Sequence, residues 1–385
     1  RGRRHSIQKG KMSGVADETN TVPGPEPVTA RILLVLVSLV ASVLIGLALA
    51  ARGGSATGKA RDDGIVIGLS MDTLKEARWQ ADRDMFVRRA GELGAKVLVL
   101  AANSDDTVQV SDVEKLITNK VDVLVVVPHD GTAMAKAVTM AHEAGIPVIA
   151  YDRIIRDSDL DLYVSFDNER VGELQARFLV DHLPTPGKGR IVRIYGAKTD
   201  NNASQFKRGQ DRVLEPYIAR GDIVVVHEDW AEEWKPENAK RIVNAAITAA
   251  GSGIDAVLAS NDGTAGGAIQ ALSEEGLAGK VLVTGQDADT VALQRIAAGT
   301  QAMTIYKPLK TLTRGAAELA VQVTAKRLVV ARSTVDNGHG PVPAALYDVV
   351  TVTRDNLLDT VVRDGMATYD EVYRGIPEAQ RPPRP

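Results

Sequence analysis

From residue 64 onward, short apolar runs alternate with longer amphipathic ones. The short runs are IVIGLS, KVLVLAAN, VDVLVVVP, PVIAYD, YVSFDN, RIVRIYG, DIVVVHEDW, AVLASND, VLVTGQD, AMTIYK and LYDVVTVT. Several are apolar at successive positions, the mark of strands covered on both faces of a parallel sheet. Between most of them lies one stretch with helical apolar spacing, such as residues 76–92 or 311–326. Repeated strand, helix, strand units imply right-handed crossovers and parallel sheets with helices on both faces. Eleven strands are many for a single doubly wound sheet. The pattern therefore predicts an α/β fold with two doubly wound parallel-sheet lobes of five or six strands each.

The first part of the chain has a different pattern. Residues 1–31 are polar, carry Pro and Gly around TVPGPEPVTA and lack periodicity, which predicts a disordered tail. Residues 32–50, ILLVLVSLVASVLIGLALA, then run for nineteen positions without a charge. As a helix rising about 1.5 Å per residue this segment could cross a hydrocarbon core. It reads as a signal anchor, with a cleaved signal peptide ending at Ala48-Leu49-Ala50 as the alternative. Either places the remainder outside the cytoplasm. Residues 51–63 read as a linker and 376–385 as a flexible tail.

Composition narrows the function classes. The 385 residues are 44% hydrophobic and 25% charged, with a net charge of -3 and no basic cluster in the folded part, which argues against nucleic-acid binding. The absence of cysteine excludes disulfides, thiolate metal sites and a lipidated N-terminal cysteine. No motif calls for a cofactor or a metal.

The candidate chemistry sits at the strand ends. Asp72, Asn103, Asp130, Asp152 with Arg153, Asn261 with Asp262, Asp287 and Lys307 all stand at or just beyond an apolar run. Asp and Asn are common turn formers. Arg153 and Lys307 are not, and in open α/β sheets ligands bind beyond the carboxyl ends of the strands. Carboxylates, amides and fixed cations together suit a polyhydroxylated, uncharged molecule. The glycines of NDGTAGGAIQ are read as permitting close helix packing, since no phosphate-loop Lys follows them. The chain has only three tryptophans, Trp79, Trp230 and Trp234, all near strand ends, where a flat indole can cover the apolar face of a sugar ring.

Extended stretches carry the chain closer to a known family. ARWQADRDMFV, AYDRIIRDSDLDLYVSFDNERVGELQA, DNNASQF, WKPENA, ASNDGTAGGAIQALSEEGLAGKV, GQDAD, RIAAGTQAMTIYKP and LLDTVVRDGM occur in this order between residues 65 and 366. Through them the sequence resembles the periplasmic D-xylose-binding proteins of ABC sugar importers, within the type I sugar-binding superfamily. The resemblance implies two lobes joined by a three-segment hinge, the first of residues 64–165 and 307–337, the second of 166–306 and 338–375. It implies that Arg78, Asp152 and Arg153 reach the sugar from the first lobe, and Asn202, Asn261, Asp287 and Lys307 from the second lobe and the crossover. Trp79 and Trp234 would sandwich the ring. Asn202 is taken before Asn201, and Trp234 before Trp230. The implied partners are a monosaccharide, most of all D-xylose, and an ABC transporter permease, with the protein acting as a monomer.

Other readings are weaker. Asp152 and Asp287 could form a glycosidase pair. A neighbouring Arg153 and a shared Lys307 would keep both ionised, and neither a G-x-S-x-G elbow nor a metal-spaced histidine pair occurs, so no enzyme is expected. A LacI-type sensing domain needs a helix-turn-helix where this chain has an apolar segment. A membrane-anchored sugar-sensing ectodomain stays open as an alternative.

Overall fold

The computed structural model describes residues 37–42, 64–250, 253–325, 331 and 333–385. The chain divides into a unit of residues 1–62 and a compact unit of residues 63–385. In the first, residues 37–42 form a helical stretch with exposed side chains. The rest of the apolar run 32–50, the tail 1–31 and the whole of the linker 51–63 lie outside the described residues. Among the described residues no helix is long and apolar enough to cross a membrane.

The second unit is built on parallel sheets. Strands β1 (Ile65–Met71), β2 (Ala95–Ala101), β3 (Val123–Val126), β4 (Val148–Tyr151) and β5 (Leu162–Phe166) open the first sheet. Next come β6 (Gly189–Tyr195), β7 (Ile223–Trp230), β8 (Ala256–Ala259) and β9 (Leu282–Val283). Then follow β10 (Thr304–Tyr306), β11 (Ser333–Asp336), β12 (Pro341–Tyr347) and β13 (Val350–Val352). The first sheet has the order β11-β12-β5-β4-β3-β1-β2, the second β7-β6-β8-β9, and β10 pairs with β13 alone. All neighbours are parallel except β11 with β12 and β10 with β13.

Alternation along the strands buries both faces of the first sheet. Ile67, Leu69, Val123, Val125, Ile149 and Val164 face Phe86 and the Leu309–Thr324 helix, while Leu124, Val126, Val148 and Ala150 face Leu116 and Met134. Each such fully buried aliphatic side chain contributes about 1.5–3 kcal/mol relative to exposure. In the second lobe the Asn168–His182 and Asn201–Ala219 helices touch backbone to backbone. A Cβ on Gly172 would lie 2.0 Å from the Phe206 carbonyl oxygen, and one on Gly209 2.0 Å from that of Glu169. Gly267, within NDGTAGGAIQ, has the same relation to Pro236.

Three expectations are corrected. Residues 338–375 do not all join the second lobe, because β12 runs parallel to β5 in the first sheet. LYDVVTVT is not one strand: it breaks after Tyr347, and β13 pairs with β10 instead. The segment 376–385 is not a loose tail, since Tyr369 Oη donates to the Pro382 carbonyl at 2.6 Å and Arg384 ion-pairs with Asp370 at 2.6 Å. The chain thus passes between the two halves around residue 167, at 307–308 and at 348–349.

Candidate functional site

A cleft of about 220 Å³ lies between the two halves, at the carboxyl ends of the strands. Arg78, Trp79, Asp152, Arg153, Asn202, Trp234, Asn261, Asp287 and Lys307 all line it. Arg78 and Trp79 stand in the first turn of the Ala77–Glu92 helix, while Asp152 and Arg153 leave β4. Asn202 opens the Asn201–Ala219 helix, and Trp234 ends the short 3-10 turn Glu232–Trp234. Asn261 caps the Asp262–Glu274 helix, with its Oδ1 accepting from the Thr264 amide at 2.9 Å. That bond ties up the amide oxygen and helps fix the direction of Nδ2. Asp287 follows β9, and Lys307 directly follows β10.

Backbone strain concentrates here. Asp152 (φ 62), Trp234 (φ 58) and Asp287 (φ 100) occupy conformations that favour glycine. Each such residue costs on the order of 1–3 kcal/mol and persists only where its surroundings over-determine it. At Trp234 the surroundings include Gly196, where a Cβ would meet the indole at 2.0 Å. The Trp234 Nε1 donates to Asp200 Oδ2 at 3.2 Å.

The charges offset one another across the cleft. Arg78 ion-pairs with Asp82 at 3.3 Å, with Asp152, and with Asp287 at 3.3 Å, so it joins carboxylates of both halves. Lys307 Nζ lies 3.4 Å from Asp287. Arg153 donates to Asp72 at 2.7 Å, and its Nε lies 3.0 Å from Asp200 Oδ2 without hydrogen-bond alignment. Asn202 Nδ2 donates to Asp152 Oδ1 at 3.2 Å. Burial pushes the Asp152 carboxyl up, but the Arg78 guanidinium and the Lys307 ammonium outweigh it and hold the group below its usual value. An acid held ionised in this way cannot serve as a general acid near neutral pH. At Asp289, burial and then the charge of Asp287 raise the carboxyl to about 6.

Trp79 is buried, with the Arg78 guanidinium 4.4 Å and that of Arg153 5.2 Å from its ring centroid. Trp230 instead packs on Tyr195 at 5.0 Å and lies off the cleft lining. Asn201 also lies off that lining. Asn103 and Asp130 are absent from it too, and Asp130 serves its own turn by accepting from the Thr132 and Ala133 amides at 2.7 and 2.9 Å. Asp262 sits behind the cleft, buried, accepting from Gln301 and Thr304.

Sequence reading missed His129, Asp200, Gln286 and Asp289, which also line the cleft. His129 Nδ1 lies 3.1 Å from Asp72. Asp200, the cap of the Asn201–Ala219 helix, could have been found from its place before a helix start, just past the RIVRIYG run.

Comparison with known proteins accords with this geometry. The model of the periplasmic binding protein domain matches residues 67–327. The D-xylose-binding periplasmic protein of Escherichia coli is 48% identical over 308 residues, 80% of this chain and 92% of that protein. The multiple sugar-binding periplasmic receptor of Rhizobium radiobacter is 34% identical, over 88% of this chain and 99% of that one. A carbohydrate transporter solute-binding protein from Chloroflexus aurantiacus, solved with D-glucose, superposes with a TM-score of 0.75 at 34% identity, covering 79% of this chain and 97% of its own. Sequence and fold agree, and the chain belongs to the periplasmic binding protein domain family, whose members here are sugar-binding proteins and not enzymes.

Proposed function

We propose that this protein captures a monosaccharide outside the cytoplasm, D-xylose before others, and delivers it as a monomer to the permease of an ABC importer. The observation that carries this reading is the Arg78 bridge between Asp152 and Asp287, which joins polar groups of both halves around a cleft of about 220 Å³. That volume is below the roughly 300–1,000 Å³ of drug-sized sites and suits a small ligand. Asp152, Asn202, Asn261 and Asp287 supply acceptors and donors for hydroxyls, Arg78, Arg153 and Lys307 supply fixed donors, and Trp79 and Trp234 cover the ring faces. Each half holds part of this set, so only the closed form satisfies every hydroxyl at once. The D-xylose-binding relatives favour the pentose.

Thermal denaturation with a panel of pentoses and hexoses tests the reading. At a hundredfold excess over Kd, a ligand that binds only the native state adds about 2.7 kcal/mol. D-xylose should give the largest shift. No shift with any monosaccharide would sink the proposal, and a larger shift with D-glucose would move it toward the ligand of the Chloroflexus aurantiacus protein. The run 32–50 acts as an uncleaved export anchor in this reading. Cell fractionation with N-terminal sequencing checks it, because a soluble extracellular form starting at Ala51 would refute the anchor.

A further inference from the structure

A second cavity, of about 660 Å³, lies between the two halves on the other side of the first crossing segment. Tyr163, Phe166 and Asn337 line it from the first half, and Asn168, Ser204 and Gln205 from the second. Among the described residues the exposed Arg156 at its rim makes no ion pair, and the other uncommitted groups are amides and hydroxyls. Gln205 is only 7% exposed, and among the described residues its amide has no hydrogen-bond partner. Arg156 and Arg208 stand there with Asp167, Glu169 and Asp336, so the charges are nearly balanced: Arg208 is paired with Glu169 at 2.9 Å, Asp167 caps its own helix, and Asp336 accepts from the Gly338 amide at 2.8 Å. With no strong net field, such a site selects for hydroxyls and not for charge. At three times the 220 Å³ of the cleft, it accommodates a molecule larger than a monosaccharide.

The wall of this cavity is also the back of the cleft. Tyr163 Oη donates to the Asp152 carbonyl at 2.9 Å, Asn168 Nδ2 donates to Asn202 Oδ1 at 3.0 Å, and Lys307 Nζ lies 5.7 Å from the centre of the Phe166 ring. An occupant would therefore press on the groups that hold Asp152, Asn202 and Lys307. Because cleft and cavity lie on opposite sides of this layer, rotation that closes one opens the other.

We propose that the rear cavity is a second binding site, for an uncharged disaccharide-sized polyol, and that its occupation favours the closed cleft and so tightens binding there. The coupling, though not the site, rests on the monosaccharide reading above. Trehalose titrated into the full chain, alone and with D-xylose, tests both. Saturable trehalose binding is expected in each case, and without D-xylose it should be unchanged by Trp234→Ala and weakened about tenfold by Gln205→Leu, which removes its hydrogen bonds. Trehalose at a concentration that just saturates the parent should raise D-xylose affinity about fivefold there and clearly less in Gln205→Leu, as a coupling free energy between two sites requires. Ser204→Ala, on the same wall, serves if Gln205→Leu does not fold. If D-xylose fails to bind at all, trehalose binding without it still tests the rear site. Absence of saturable trehalose binding, or binding indifferent to both variants, overturns the site. An equal loss of D-xylose affinity in parent and variant would mean that trehalose enters the cleft, and also overturns it. Variant-sensitive binding with D-xylose affinity unchanged keeps the site and overturns the coupling.

Discussion

Arg78 compensates Asp82, Asp152 and Asp287 together. Arg78→Met would leave Asp82 buried without its cation, and Asp152 and Asp287 with Lys307 in place of two cations, which costs about 3–5 kcal/mol for a broken buried pair. Loss of both thermal stability and sugar affinity is expected, read by calorimetry with and without D-xylose. Trp234→Ala should differ. The indole is half-buried against Phe206, so the fold should hold while binding weakens by about 1–3 kcal/mol of lost contact. Isothermal titration separates the two. Asp82 gives a pH signature. Burial raises its carboxyl from 3.8 to about 6, against the pull of Arg78 and the Tyr151 hydroxyl. The native state then holds its proton more tightly than the unfolded chain, so its contribution is full below about 4 and is lost as pH rises through about 6. Asp72 and Asp152 are shifted the other way and contribute stability that is lost in acid. In melting curves across this range, Asp82→Asn should reduce the decline toward neutral pH, to which the raised Asp289 carboxyl also contributes, and an unchanged profile would refute the assignment. Arg153 and Lys307 were legible at this scale because no turn needs them. His129 was not, because VVVPHD does not reveal that the chain turns so that His129 faces Asp72 and Asp130 serves the turn.

At the scale of elements, the close pair of helices Asn168–His182 and Asn201–Ala219 carries the Asn168–Asn202 contact at its cleft end. Gly209→Val would drive methyl groups into the Glu169 carbonyl, and backbone cannot yield as a side chain can. The cost should reach or exceed the 1–3 kcal/mol or so typical of overpacking. A denaturant midpoint unchanged by Gly209→Val would contradict this close approach. Because the moved helix bears Asn202, sugar affinity should fall as well. Strands β1 to β8 were readable because continuous apolar runs flanked by amphipathic stretches leave few alternatives. LYDVVTVT misled for the same reason. Periodicity records that a residue is covered, but not by which sheet, and here the partner changes at Asp348 without a break in hydropathy.

For the whole molecule, closure about the crossing segments predicts that D-xylose reduces the radius of gyration measured by X-ray scattering. Unchanged scattering at saturating sugar would argue for a rigid site. The crossings also bear on the order of events at birth. The second sheet draws all its strands from residues 189–283, whereas the first needs β12, residues 341–347, to cover β5. Domains usually fold as they emerge, beginning with the earliest. In this chain the middle can complete its sheet while the beginning still waits for the end. A nascent chain halted after residue 325 should therefore yield a protease-resistant fragment from its centre, and the first-made strands should be the last to become safe from digestion.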